Sequence, residues 1–155
     1  MKRIEPDRYE IRRAMLLAGL RQSHSFTSVS ETIPEQWQQF KALGNINGQV
    51  GSTAFGAVCG STVNRFEYLA GIEVESFSVL SADMGRMRVP EQYYAVFQHR
   101  DHISTIPKTW ELIFNEWLPR SGTQPAETPC FELYDERFNP KTGLGIVEIY
   151  FPILH

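Results

Sequence analysis

Two Glu-x-Tyr words carry the most chemistry in this sequence, Glu132-x-Tyr134 and Glu148-x-Tyr150. Each lies in a run of strand formers, Cys130-Phe-Glu-Leu-Tyr-Asp-Glu-Arg137 and Gly145-Ile-Val-Glu-Ile-Tyr-Phe-Pro-Ile153. Side chains alternate faces along a strand. In the last run Val147, Ile149, Phe151 and Ile153 therefore point one way and Glu148 and Tyr150 the other. In the run before it Phe131 and Leu133 share a face, opposite Glu132 and Tyr134. If both apolar sets meet the helices, and the two strands pair in suitable register, two carboxylates and two phenols gather on one uncovered surface. A carboxylate in a partly desolvated, aromatic-lined site is costly unless a cation compensates it. Ring faces attract cations, and tyrosine adds a polar tip. Such a site favours an amphipathic organic cation. The solvent-facing side of an antiparallel sheet produces the same alternation, so the plainer reading stays open.

Other reactive residue types form no competing centre. His99 and His102 flank Arg100-Asp101 at a strand-to-helix junction with no nucleophile signalled nearby, and His24 and His155 have no partner in the pattern. Cys59 and Cys130 sit in apolar runs and read as buried free thiols. No CxxC or His/Cys spacing suggests a metal, and no motif calls for a cofactor. The stretch Asp83-Met-Gly-Arg-Met-Arg88 lacks the spacing of a phosphate loop and reads as a connector between two halves. Glu67 falls out of phase with Phe66 and Tyr68, which places it at an exposed sheet face or edge.

The elements that must position these residues repeat. Residues 1–13 are charged and weakly patterned, an extended or frayed lead-in. A short apolar run over 14–20 reads as a strand. Ser30 or Thr32 caps a helix over 31–43, with Trp37, Phe40 and Leu43 at three-residue spacing and Gly44 as its stop. Strands over 53–59 and 65–74 flank a Gly60–Asn64 loop as a hairpin. A strand over 92–99 then opens a second round. Its helix is capped by Ser104 or Thr105, carries Trp110, Ile113, Phe114 and Trp117 on one face, and is stopped by Pro119 and Gly122. Both helices contain Pro-x-x-Trp, and a Phe-Glu strand follows each: Phe66-Glu67 and Phe131-Glu132. The chain thus reads as one α+β domain over 1–155, two strand-helix-strand-strand repeats at about 14–76 and 88–154. Two such units, unlike one, can bury a sheet face together. The three tryptophans pack in the core on this reading, with Trp110 the first to be exempted because its helix can rim a cleft.

Composition bounds the partners. The 155 residues carry a net charge of −3, with 42% hydrophobic and 21% charged side chains, a globular balance. The basic residues Lys2, Arg3, Arg8, Arg12 and Arg13 are loosely spread and interleaved with Glu5, Asp7 and Glu10, and no basic face for a phosphate backbone is visible. No signal-peptide stretch or 18-residue apolar run occurs, so the chain is read as cytoplasmic, with neither nucleic acid nor membrane as a direct partner.

Five short motifs in order resemble the GyrI-like effector-binding domains. They are Phe66-Glu-Tyr-Leu-Ala-Gly71 after the Trp37/Phe40 helix, Tyr94-Ala-Val-Phe-x-His99, Trp110 to Trp117-Leu-Pro-x-Ser-Gly122, Pro129-x-Phe-Glu-x-Tyr-Asp135 and Glu148-Ile-Tyr-Phe-Pro-Ile153. Together they cover roughly residues 14–154. The family includes ligand domains of AraC-type and MerR-type multidrug regulators and stand-alone gyrase inhibitors. The resemblance implies two fused strand-helix-strand-strand units with a ligand cleft at their junction, and an acidic residue there that recognises cationic drugs or dyes. Glu148 is the first match for that acid and Glu132 the second, with Tyr68, Tyr94, Tyr134 and Tyr150 as cleft aromatics. It also implies a protein partner, such as a DNA-binding regulator or gyrase, because no helix-turn-helix precedes the domain. Some members hydrolyse cyclopropane natural products, for which Glu148 is the candidate general base. Binding is preferred over catalysis, since no acid–base pair or oriented nucleophile is signalled.

Overall fold

Alternating apolar runs and two amphipathic helices give this chain one large sheet with the helices on one side. The computed structural model describes residues 3–62 and 64–154; His155 lies outside them. In chain order the elements are β1 (Arg8–Arg12), β2 (Met15–Ser25), α1 (Val29–Ala42), β3 (Gln49–Cys59), β4 (Arg65–Val74), β5 (Gly85–Val89) and β6 (Gln92–His99). A 3-10 turn (Ile103–Thr105) leads into α2 (Ile106–Leu112), a π-helical turn (Ile113–Trp117) and α3 (Leu118–Ser121). Strands β7 (Cys130–Tyr134), β8 (Phe138–Asn139), β9 (Leu144–Gly145) and β10 (Val147–Pro152) complete the chain. Eight strands form an antiparallel sheet ordered β1-β6-β10-β7-β3-β4-β2-β5, and β8 pairs with β9 apart from it.

That order is a duplication. The unit β2-α1-β3-β4 contributes β3-β4-β2, the unit β6-α2-β7-β10 contributes β6-β10-β7, and the two meet along the β7–β3 seam. Cα pairing at the seam centres on Gly56 opposite Glu132. The equivalent strands are therefore β3 and β7, which corrects the pairing of Phe66-Glu67 with Phe131-Glu132: Phe66 lies on β4, whose counterpart is β10. Two histidines show the same relation. His24 Nδ1 lies 2.7 Å from the Thr32 hydroxyl of α1, and His99 Nδ1 lies 2.7 Å from the Thr109 hydroxyl of α2, so each ties a strand end to its helix.

Residues 8–12 are a strand, not a lead-in, and residues 85–89 are a strand rather than a connector. Each is the outermost strand of the sheet, paired with the first strand of the other unit: β1 with β6, and β5 with β2. The sheet curls so that the β1 edge folds over its concave side, where the Arg12 guanidinium stands 5.6 Å from the centre of the Phe55 ring of β3. The concave face buries Met15, Leu17, Phe55, Leu69, Met87, Val89, Tyr94, Val96, Phe131, Leu133 and Tyr150 against one another, with no helix among them. The convex face packs under the helices. Phe66, Tyr68 and Ala70 lie beneath α1, and Ala95, Phe97, Val147, Ile149 and Phe151 beneath α2 with Ile113 and Trp117. Each fully buried large side chain contributes roughly 1.5–3 kcal/mol.

Both helix boundaries differ from expectation for local reasons. The first starts at Val29 because the Ser28 carbonyl already accepts from Glu31 and Thr32 N–H, while the Thr32 hydroxyl is engaged by His24 and Ser28. In the second, Pro119 does not stop the helix. A π turn absorbs it, with Leu118 N–H reaching back to the Ile113 carbonyl, and the chain leaves only at Gly122 in the left-handed region. Among the described residues no helix is long and apolar enough to cross a membrane.

Candidate functional site

Strand pairing decides which of the predicted residues meet. Tyr150 sits opposite Phe131, Glu148 opposite Leu133, and Ile149 opposite Glu132. Directly paired residues share a face, so Glu132 lies on the helix side and Glu148 on the concave side. The expectation that both Glu-x-Tyr pairs share one surface is corrected by this register. Phe131 and Leu133 face the concave core, not the helices, because the curled sheet buries both of its faces.

On the helix side, at the seam, Glu132 gathers a cluster. Its Oε1 accepts from the Tyr68 hydroxyl at 2.9 Å and the Tyr134 hydroxyl at 2.6 Å, and its Oε2 accepts from Trp110 Nε1 at 2.7 Å. Trp37 Nε1 donates to the Tyr68 hydroxyl at 3.1 Å, so a hydrogen-bonded chain runs from α1 through β4 and β7 to α2. The Trp37 ring also meets the Tyr134 ring edge-on at 5.3 Å. Glu132 is 5% exposed, while Trp37, Trp110 and Tyr134 are half-buried and form the outer layer. The floor is Gly56, directly across the seam. A Cβ there would overlap the Tyr68 hydroxyl and crowd the Glu132 carboxylate, so only glycine lets both approach.

The electrostatics of this cluster are unbalanced. Burial raises the Glu132 pKa, and the hydrogen bonds from Tyr134, Trp110 and Tyr68 only partly oppose it. Burial and the neighbouring carboxylate hold Tyr68 and Tyr134 well above the usual phenol range, so both remain donors. Among the described residues no Lys or Arg forms an ion pair with Glu132. A buried carboxylate held by three neutral donors is hydrogen-bonded but not charge-compensated.

Glu148 has the opposite character. Arg8 grips it with two bonds at 2.5 and 3.0 Å, Gln98 donates at 3.1 Å, and Arg137 approaches to 3.2 Å. Burial alone would raise its pKa, but these partners outweigh burial and bring it down to about 2. Its charge is already neutralised, and as a base it is weak. Tyr150 stacks on Phe131 at 4.7 Å and Tyr94 meets Tyr150 edge-on at 5.5 Å, both within the concave core. Of the seven expected site residues, Glu132, Tyr68, Tyr134 and Trp110 thus come together, and Glu148, Tyr94 and Tyr150 lie on the other side of the sheet. Trp37 was assigned to the core. The repeated Pro-x-x-Trp was the signal for its role, since it places Trp37 and Trp110 at equivalent points on α1 and α2. Among the described residues no group of three or more His, Cys, Asp or Glu is placed to hold a metal ion.

The profile of the GyrI-like small molecule binding domain matches residues 10–154. The chain belongs to that family. It is similar to the transcriptional regulator BrlR of Pseudomonas aeruginosa, with 32% identity over 126 residues, 79% of this chain and 47% of the regulator. It is also similar to a DNA gyrase inhibitor of Erwinia billingiae, with 34% identity over 65 residues, 42% of this chain and 41% of the inhibitor. The chain therefore spans about half or less of the length of these relatives. Among solved structures, SAV2435 bound to tetraphenylphosphonium superposes with a TM-score of 0.75 at 16% identity, covering 95% of this chain and 93% of that one. The C-terminal domain of EcmrR gives 0.65 at 13% identity, covering 95% and 96%. This GyrI-like domain shares their fold, a curled antiparallel sheet with two helical segments on one face.

Proposed function

We propose that this GyrI-like domain senses or sequesters amphipathic organic cations, which it holds between α1 and α2 with the charge over Glu132. One observation carries the reading: a carboxylate that is 5% exposed, bonded only to neutral donors and overlaid by aromatic rings from both helical segments. Folding leaves this charge without an opposite partner, and a ligand cation supplies one. The Trp37 and Trp110 indoles supply ring faces of the kind that attract cations. For the ligand to reach the acid, Trp37 must part from Tyr134, an adjustment of side chains of the kind common at binding sites. The binding of tetraphenylphosphonium by SAV2435, a protein of the same fold, supports this choice of ligand class. A DNA-binding regulator is the partner through which a sensor of this kind acts, and the similarity to BrlR favours it over gyrase.

Titration with tetraphenylphosphonium, followed by tryptophan fluorescence, tests the reading. Saturable quenching is expected from Trp37 and Trp110, and none from Trp117, which is buried against Phe97 and Phe151. Glu132→Gln should weaken binding about 10–100-fold, the range for losing a charge-assisted contact. Triphenylphosphine oxide, neutral and similar in shape, should bind wild type and variant alike. Equal affinity of the two proteins for the phosphonium would sink the assignment.

A further inference from the structure

β1 is an edge strand with apolar side chains exposed where an edge is usually charged. Its one strand partner among the described residues is β6, and its other edge is open. Main-chain bonds show which groups lie along that open edge. In β6 the Val96 carbonyl accepts from Asp7 N–H and the Tyr93 carbonyl from Ile153 N–H. Even-numbered residues of β6 therefore bond towards β1, and odd-numbered ones towards β10. The register pairs Glu10 with Tyr94 and Arg12 with Gln92, so these two spend their N–H and C=O groups on β6. Those of Tyr9 and Ile11 point out of the sheet.

The side chains of β1 divide by face. Arg8 and Arg12 reach Glu148 and Tyr150 on the concave side, and Glu10 shares that side. Tyr9 and Ile11 lie on the convex side, 50% and 62% exposed, and Tyr9 stacks on Tyr93, the residue paired with Ile11. The edge strand of the other unit, β5, differs. Its Met87 faces the concave core, so Arg86 and Arg88 hold the convex positions, and charge of that kind guards an edge against a further strand. β1 lacks the guard on that face. Its concave face supplies complementary charge instead. Arg12 stands over the Phe55, Phe131 and Tyr150 rings, and among the described residues no carboxylate pairs with it. Glu10, 33% exposed, accepts from Arg8 at 2.9 Å and from the Tyr150 hydroxyl at 3.4 Å, and a carboxylate has further acceptor positions.

We infer that the β1 edge is the interface of a symmetric dimer, in which two copies of this chain join by antiparallel β1–β1 pairing about Ile11. A two-fold axis there sets Glu10 of each copy opposite Arg12 of the other and Ile11 against Ile11. The two Ile11 residues exchange both of their free main-chain bonds, and the apolar strips of the two copies meet on the convex face. The same patch serves both copies, so the contact closes at two. Glu132, Trp37 and Trp110 take no part in it, and the inference is independent of the cation reading.

Sedimentation velocity of the full chain, from about 1 μM to 1 mM, covers the range in which so small an interface associates. Exchange between monomer and dimer is expected. Ile11→Pro removes an N–H that faces the open edge and none that serves β6. It should leave thermal unfolding close to wild type and raise the dimer Kd about ten-fold or more. Glu10→Lys sets like charges opposite each other at both pairs and should raise it likewise. Ile11→Cys, in a chain with Cys59→Ser and Cys130→Ser, should form an intermolecular disulfide under mild oxidation. The Cα atoms of such a hydrogen-bonded pair lie about 5.5 Å apart, within disulfide reach. Tyr9→Cys in the same background should not cross-link, because it faces Arg13 of the other copy. A monomer at every concentration, a dimer indifferent to both Ile11→Pro and Glu10→Lys, or equal cross-linking of the Ile11→Cys and Tyr9→Cys chains overturns the inference.

Discussion

Replacing Glu132 by Gln should stabilise the free protein while it weakens cation binding. The carboxylate is almost wholly buried, and taking an ion out of water costs several kcal/mol after relaxation. Its three donors return part of that, since a hydrogen bond to a charged acceptor exceeds one to a neutral acceptor by roughly 0.5–1.5 kcal/mol. Burial is the larger influence, as the raised pKa shows. The balance left over is on the order of 1–2 kcal/mol against the ionised form. Gln keeps the shape, its carbonyl can accept from Trp110, and its amide can donate to the tyrosine oxygens. The pH dependence carries the sign. The folded pKa lies above the unfolded value near 4.5, so the folded state holds the proton more tightly. The contribution of Glu132 is fully favourable below about pH 4.5 and is lost as pH rises through the raised pKa. Thermal unfolding of both proteins from pH 4 to 8 should show curves that nearly coincide at acid pH. They should separate by about 2–8 °C at pH 8, taking roughly 2–4 °C per kcal/mol for a chain of this size. A variant less stable than wild type at pH 8, or a gap that does not change with pH, would refute the argument.

The same linkage predicts that phosphonium affinity rises with pH through the raised Glu132 pKa, because the cation binds the ionised acid; affinity that does not rise from pH 4 upwards contradicts it. Gly56→Ala forces a methyl group against the Tyr68 hydroxyl and Glu132, and should cost about 1–3 kcal/mol in denaturant unfolding along with most of the cation affinity. Arg8→Gln removes the main partner of Glu148. Arg8 is over a third exposed, so the expected loss at pH 7 is about 1–2 kcal/mol after solvent screening. Because the folded Glu148 pKa is depressed, that stabilisation is present above the unfolded value and fades as pH falls towards 2; acid titration of unfolding should show the variant and wild type converging. Cation binding should be unchanged in Arg8→Gln, which separates the two acids in one experiment.

Much of the fold was legible because periodicity survives in a single sequence. Trp110, Ile113 and Trp117 at helical spacing marked the buried stripe of the second helix, and Val147, Ile149 and Phe151 marked the face of β10 that meets it. The edge strands were not legible. Arg8–Arg12 and Gly85–Val89 are charged every second residue, and only their pairing with strands of the opposite unit makes them structure. The candidate site failed at a single step. Each strand was read correctly as alternating, yet alternation cannot say which face meets the helices when both are buried. In β7 the apolar Phe131 and Leu133 fill the concave core, and the polar Glu132 points at the helices. Face assignment flips every side chain at once, so this one ambiguity exchanged the two acids.

The asymmetry at the seam explains why a duplicated fold presents a single acid. Gly56 and Glu132 occupy equivalent positions on β3 and β7 and face each other across the seam. Two carboxylates there would sit close together in a desolvated site, where like charges cannot both remain ionised. Glycine in the first unit removes that conflict and opens the space that Tyr68 and Glu132 fill from opposite units. The tryptophans, by contrast, are kept in both units, one on each helical segment, and both are wired into the chain of hydrogen bonds that ends on the acid. Duplication thus supplies two aromatic walls, and its local failure at Gly56 supplies one charge between them. Under the proposed function, this arrangement suits a monovalent cation with bulky apolar groups on more than one side.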